Sequence, residues 1–190
     1  MSTDRHEHGR RRSLWKGPAL FTALILLIPL MGNYLVDGWH WSAGAFVRFG
    51  ALLFGLGLAY QLITRKVDTL AYRIALGIAI ATAFAVFFGN VIQADDDPVA
   101  VNPDAVMYLW VPLVGIIGAA AARFRPNGMS RALFATALAQ TLVLAIALIV
   151  RNPQITPWTA AVLRGFGLNA VFVMLFVGSA LLFRSAASRP

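Results

Sequence analysis

The chain contains no cysteine among its 190 residues. Disulfides, thiolate metal sites, iron–sulfur clusters and cysteine nucleophiles are therefore excluded. Charge is also scarce, since 13% of the residues are Asp, Glu, Lys or Arg while 59% are hydrophobic. A soluble globule of this size needs more polar surface than this composition supplies. The composition predicts a protein embedded in a lipid bilayer.

Six apolar runs are long enough to cross a bilayer, whose hydrocarbon core of about 30 Å takes roughly 20 helical residues. They cover approximately residues 18–36, 45–64, 72–93, 104–122, 131–150 and 157–183. Short connections between runs predict antiparallel neighbours in one bundle. The predicted fold is an all-α integral membrane protein. It comprises a basic N-terminal tail (1–17), a six-helix transmembrane domain (18–184) and a short C-terminal tail (185–190).

Basic residues lie mostly on one side of these spans. Of the sixteen Lys and Arg, only Arg48, Arg151 and Arg164 fall on the side opposite the two termini. Because cytoplasmic loops are enriched in Lys and Arg, both termini are predicted to be cytoplasmic. This asymmetry accounts for the net charge of +8 without a nucleic acid partner. The basic N-terminal cluster is expected to attract anionic lipid at the cytoplasmic face.

The central parts of the predicted spans lack Asp, Glu, Lys and His. Proton relays and ion-coupled carriers usually need an ionisable group at that depth. Haem ligation by two histidines is disfavoured because all three histidines lie in the tail or a loop. Ser179 has no histidine within the spans to activate it as a nucleophile. The sequence thus predicts no catalytic residues and no cofactor.

The intramembrane polar residues of most interest are Thr136, Gln140 and Asn169. Thr136 and Gln140 are four positions apart and share one face of the fifth helix. They could line a pore or hydrogen-bond to a neighbouring helix. Interhelical contact is the favoured interpretation, because one amide makes a poor pathway.

Small residues recur at four-residue spacing in several spans, which lets helix backbones approach closely in lipid. The rows of most interest are Ala51, Gly55 and Ala59 in the second span and Ala75, Ala79 and Ala83 in the third. They predict helix packing faces, within the chain or against a second subunit.

Charged residues on the outer side are predicted to form a salt-bridged layer. Its members are Asp37, Arg48, Asp95, Asp96, Asp97, Arg151 and Arg164. An arginine slightly inside a span either extends to the headgroups or pairs with an acid. Two alternatives are a solvated acidic loop and a divalent cation site using oxygens of Asp95, Asp96, Asp97 and Asn102. The run lacks the ligand spacing of a calcium loop, so the cation site ranks last.

Local signals mark some helix boundaries. Ser42 is a candidate N-cap for the second helix. Pro103 is suited to the first position of the fourth helix. Arg125-Pro126-Asn127-Gly128 predicts a tight cytoplasmic turn, with proline at its second position.

The segment "ARFRPNGMSRALFATALAQ", within 115–143, resembles a segment that joins two spans in small bacterial inner-membrane proteins of unknown function. The loop "QADDDPVAVNPDA" is similar to the acidic loop that precedes it in those proteins. The resemblance covers residues 45–150 at most and implies a multi-pass protein of the bacterial inner membrane. It implies no activity and no site residue.

Three functions follow as hypotheses. The leading one is a non-enzymatic accessory or structural protein that acts through helix-face and lipid contacts, with a membrane protein or a second copy as partner. The alternative is a small permease or channel for a neutral solute or anion. A membrane enzyme acting on lipid headgroups ranks last, because no nucleophile, base or metal cluster is recognisable.

Overall fold

The structure is a computed structural model that describes residues 3–36, 41–65, 67–88, 103–150 and 160–188. Every element in these ranges is an α-helix, which confirms the predicted all-α class. The helices are α1 (Thr3–Leu35), α2 (Ala43–Thr64), α3 (Leu70–Phe87), α4 (Pro103–Ala121), α5 (Pro126–Val150) and α6 (Ala160–Ala187).

Five segments are long and apolar enough to cross a membrane: Trp15–Leu35, Ala43–Thr64, Leu70–Phe87, Pro126–Ala147 and Gly165–Ala187. The apolar part of α4 within the described residues, Met107–Ala121, is shorter. The sequence located both ends of α2 and of α4, and the start of α3, to within two residues. The predicted end of the third span, residue 93, lies outside the described residues. Helix α1 differs, because it begins at Thr3 and so includes most of the predicted N-terminal tail. These helices make the chain a membrane-embedded helical protein.

The helices fall into two compact units, residues 1–68 and 69–190. The prediction of one six-helix domain over 18–184 stays a prediction. In the first unit, α1 and α2 pack as an antiparallel hairpin. Trp15 stacks on Phe54 with ring centroids 5.7 Å apart, and a Cβ at Gly57 would lie 3.3 Å from Cβ of Pro18. Small size at position 57 therefore permits the close approach of α2 to α1.

The connection between α1 and α2 is held by side-chain hydrogen bonds. Asn33 Oδ1 accepts from the Trp41 amide at 2.9 Å, and Asn33 Nδ2 donates to the Trp41 carbonyl at 3.2 Å. Ser42 Oγ accepts from the Ala45 amide at 3.2 Å, which confirms the predicted cap. Ser42 thus satisfies an amide that the first turn of α2 leaves without a helical partner. Asn33 satisfies both backbone groups of Trp41, directly before this cap.

The second unit contains the other four helices. Helix α6 packs against α3 and α5, and α4 packs against α5 and α3. Phe176 and Phe183 of α6, Val86 of α3 and Val111 of α4 are almost completely buried between these helices. Outward faces carry large apolar side chains, such as Leu138, which is 71% exposed. A bilayer is the solvent in which such faces are stable.

The turn between α4 and α5 differs from its prediction. Arg123 and Phe124 have φ of 47° and 56°, and their amides donate back to the carbonyls of Ala120 and Ala119. These bonds satisfy carbonyls at the end of α4 that have no partner further along the helix. The predicted turn at 125–128 is wrong, because α5 already begins at Pro126. Proline fits the first helical position, where its missing N–H costs nothing.

The chain around the α4–α5 connection packs closely at two pairs of small residues, Gly118 with Ala132 and Gly128 with Ala122. A Cβ at Gly118 would lie 2.7 Å from Cβ of Ala132, and one at Gly128 would lie 2.6 Å from Cβ of Ala122. Neither distance is a normal carbon contact, which requires about 3.5–4.0 Å. Glycine is therefore required at both positions for this packing.

Candidate functional site in the second unit

Gln140 and Asn169 form a buried amide pair between α5 and α6. Gln140 is completely buried and Asn169 is 7% exposed. Asn169 Nδ2 donates to the Gly165 carbonyl at 2.9 Å, one turn earlier on its own helix. This bond orients the Asn169 side chain, so that its Oδ1 is the atom that accepts from Gln140 Nε2. The pair therefore links two helices through a hydrogen bond of defined direction.

The acceptor oxygen of Gln140 is the unusual atom of this pair. Gln140 Oε1 is buried and has no hydrogen-bond donor among the described residues. A buried carbonyl oxygen without a donor costs about 1–3 kcal/mol. The amide thus serves as an interhelical donor and also presents one unused acceptor in the protein interior.

Thr136 lies one turn before Gln140 on α5 and is 1% exposed. Its hydroxyl donates to the Ala132 carbonyl at 2.9 Å, within its own helix. A Cβ at Gly115 of α4 would lie 3.2 Å from this hydroxyl oxygen. Thr136 therefore contacts α4, and its donor is taken by the helix backbone.

Ser179 links α6 to α3. Its side chain is completely buried, and its hydroxyl donates to the Ala75 carbonyl at 2.7 Å. Ala75 is fully buried and Ala79 is 7% exposed, so part of the row Ala75, Ala79 and Ala83 lies within the second unit. Because Ala75 and Ala79 have small side chains, the Ser179 hydroxyl can reach the α3 backbone.

Tyr72 connects the start of α3 to two other chain segments. Its hydroxyl donates to the Phe124 carbonyl at 2.7 Å. Its ring packs edge-on against Phe183 of α6, with centroids 4.8 Å apart. Sequence reasoning missed Tyr72, because a tyrosine near the end of a span is typical of any membrane interface. Its position two residues after the N-terminus of α3 gave no signal of its partners.

In the predicted row of small residues in α2, Ala51 and Gly55 are more exposed than Gly57. Ala51 and Gly55 are exposed and Ala59 is half-buried. No atom beyond the local backbone and chain neighbours lies within 4 Å of a Cβ built at Gly55, among the residues that the structure describes. This row therefore leaves space for another molecule, while Gly57 faces α1.

Most of the predicted outer charge layer lies outside the described residues. This holds for Asp37, Asp95, Asp96, Asp97 and Arg151, for Asn102 of the candidate cation site, and for the side chain of Arg164. Arg48 is described and is exposed on α2. In the described part of the chain, no three His, Asp or Glu side chains are grouped as metal ligands would be. The charge layer and the cation site stay predictions.

The site as a whole offers hydrogen-bonding chemistry. Its described polar groups are amides, hydroxyls and backbone carbonyls, which can hold helices together or accept a neutral donor. Comparison of the chain with protein-family models, with curated proteins and with solved structures gave no match.

Proposed function

We propose that the protein is a multi-pass protein of the bacterial inner membrane that performs no catalysis and acts through contacts of its helix faces with lipid and with a partner in the membrane. The observation that carries this proposal is the use of the interior polar groups. The buried side-chain donors bond to backbone carbonyls or to another side chain. They belong to Ser179, Tyr72, Thr136 and the Gln140–Asn169 pair. The bonds of Ser179, Tyr72 and the amide pair join one helix to another or to a turn, while that of Thr136 stays within α5. The outer faces are left for interactions.

The proposed arrangement has six spans with both termini in the cytoplasm. Helix α4 counts as the sixth span because its 19 residues extend about 28 Å. Arg123 and Arg125 after α4, Arg73 at the start of α3 and Arg184 at the end of α6 belong to the predicted cytoplasmic side. The positive-inside rule and the resemblance to bacterial inner-membrane proteins support this orientation and location.

The partner face is proposed to include Gly55. A Cβ there meets nothing within 4 Å in the part of the chain that the structure describes, so Gly55→Ile is expected to preserve folding. It would obstruct close approach of a second helix, which depends on small residues. Gly167→Ile on α6 is the matched control, because a Cβ there also meets nothing within 4 Å in the described structure.

The test is the size of the assembly extracted directly into native nanodiscs, measured by mass photometry. Wild type and Gly167→Ile are expected to form a complex larger than one chain, while Gly55→Ile is expected to shift toward the single chain without losing thermal stability. A wild-type protein that is always a single chain without partners would contradict the proposal. If the Gly55→Ile assembly has the same size as wild type, the α2 face around Gly55 is not part of the partner interface.

A second candidate function, passive conduction of a neutral solute, is favoured by one observation. Gln140 Oε1 is a buried acceptor without a donor among the described residues. A solute passing through the bundle could donate to it. Solute flux into proteoliposomes that falls in Gln140→Leu and in Arg48→Gln would support conduction. No flux for a panel of small neutral solutes and anions would eliminate it.

A further inference from the structure

Tyr72 brings three separated chain segments together at one end of the second unit. Its hydroxyl bonds to the Phe124 carbonyl, and its ring contacts Phe183. Each of these two partners has an arginine as a direct neighbour in the chain. Arg123 and Arg125 flank Phe124, and Arg184 follows Phe183. We call Arg123, Arg125 and Arg184 the arginine rim.

The arginine rim is exposed and carries a strong local charge. All three side chains are exposed. Arg73 and Arg131 lie near the same end, at the starts of α3 and α5, and both are exposed as well. Arg73 has interactions within the chain and is therefore not counted in the rim. Because Phe124 and Phe183 both contact Tyr72, the three neighbouring arginines add their positive charge at one end of the unit, and an anion there would be attracted.

The chain supplies little negative charge to this end of the unit. The acidic residues of 69–190 are Asp95, Asp96, Asp97 and Asp104. Asp104 lies in the first turn of α4, at the end opposite Arg123. Asp95–Asp97 precede α4 in the sequence. Asp68, exposed and directly before Thr69 and α3, is the acidic residue nearest this end in the sequence. One carboxylate leaves most of the charge of the three rim arginines unbalanced, which favours an anion from another molecule.

The rim also has an apolar component. Phe124 lies between Arg123 and Arg125 and is 41% exposed. Its backbone is fixed by two hydrogen bonds, one from Tyr72 and one from its own amide to the Ala119 carbonyl. An exposed aromatic ring beside guanidinium groups, at the end of apolar helices, suits the headgroup layer of a bilayer. Arginine is also the side chain best matched to phosphate oxygens, which it can bind through two parallel N–H donors.

We propose that the arginine rim binds the headgroup phosphate of acidic phospholipids, with Phe124 inserted beside it at the level of the acyl boundary. This rests on the membrane placement in the proposed function. The hydrogen bonds of the turn between α4 and α5 fix the backbone from which two of the three arginines extend, so only their side chains have to be ordered on binding. The rim is thus a site for anionic lipid, in addition to the attraction expected of the basic N-terminal segment.

The test uses the full chain in nanodiscs of phosphatidylcholine with an increasing fraction of phosphatidylglycerol, with the thermal unfolding midpoint as readout. The wild-type midpoint is expected to rise and saturate, because a ligand that binds only the folded state stabilises it. Each arginine near an anionic surface contributes about 1 kcal/mol. Arg123→Gln/Arg125→Gln/Arg184→Gln should thus weaken binding on the order of 100-fold and abolish saturation. Arg48→Gln, which removes one exposed arginine of the first unit, should raise the half-saturating phosphatidylglycerol fraction far less than the triple variant.

Two further arms keep the test decisive. If the triple variant does not fold, Arg184→Gln alone should raise the half-saturating phosphatidylglycerol fraction about 5-fold. Inorganic phosphate added to phosphatidylcholine nanodiscs should not reproduce the effect. Equal saturation by wild type and the rim variants, or equal stabilisation by inorganic phosphate, would overturn the lipid assignment. Failure of the wild type to enter nanodiscs would instead contradict the membrane placement.

Discussion

The hydroxyl of Tyr72 donates a 2.7 Å hydrogen bond to the carbonyl oxygen of Phe124, 52 positions later in the chain. Phe124 lies in the turn after α4, where its carbonyl is outside the regular helix. The bond therefore ties the start of α3 to the α4–α5 connection. Through Phe183 the same tyrosine also contacts α6. One side chain thus joins two helices, α3 and α6, and the turn that carries Arg123 and Arg125.

Tyr72→Phe removes this bond and retains the aromatic ring. We expect the free energy of unfolding to fall by about 1 kcal/mol, with a larger loss if the Phe124 carbonyl stays without a partner. Unfolding by sodium dodecyl sulfate from mixed micelles measures the change. Tyr34→Phe is the control, because Tyr34 is 82% exposed. Equal losses in the two variants would show that the Tyr72 hydroxyl has no special role.

Gly118→Ala places a methyl group 2.7 Å from Cβ of Ala132. Since neither atom belongs to a flexible side chain, the helices must separate, and we expect a loss of about 1–3 kcal/mol. Adding Ala132→Gly should recover most of the lost stability. A double-mutant cycle of the two changes then gives a coupling energy between positions 118 and 132. Gly167→Ala, at an open position, should cause no loss. Additive effects of the two changes at 118 and 132 would contradict the observed contact.

Asn169→Leu removes the acceptor of the Gln140 amide. Gln140 is completely buried, so its N–H groups would lose their partner at a cost of about 1–3 kcal/mol. Gln140→Leu/Asn169→Leu removes both polar groups and should be closer to wild type than Asn169→Leu alone. The same unfolding assay measures both variants. A double variant that is less stable than either single variant would show that the amides act independently.

The helices could be located from hydropathy because a bilayer requires long apolar runs, and an apolar run that crosses lipid has to satisfy its backbone hydrogen bonds as a helix. The cap at Ser42 was also readable, since N-capping depends on local sequence. The start of α5 was not, because proline followed by Asn-Gly favours both a turn and a helix beginning. The positive φ of Arg123 and Phe124 decides between the two, and neither residue type signals that conformation.

Contacts between positions far apart in the chain could not be predicted from the sequence. Gly55 and Gly57 are two residues apart, and spacing cannot tell which glycine faces α1. The structure assigns that position to Gly57, next to Pro18. Gln140 was recognised as a candidate for interhelical bonding, but its partner Asn169 lies 29 positions away. Only the packing of α5 on α6 brings these amides together.

We propose that the chain crosses the membrane six times and has both termini in the cytoplasm, and labelling of single cysteines tests this topology directly. The absence of native cysteine allows single cysteines to be introduced and labelled with a membrane-impermeant maleimide in spheroplasts and inside-out vesicles. We predict that Gly44→Cys and Ala100→Cys react only from the outer side, and that Asn127→Cys and Ser188→Cys react only from the cytoplasmic side. Reaction of Ala100→Cys and Asn127→Cys from the same side would show that α4 does not cross the membrane and would contradict the account.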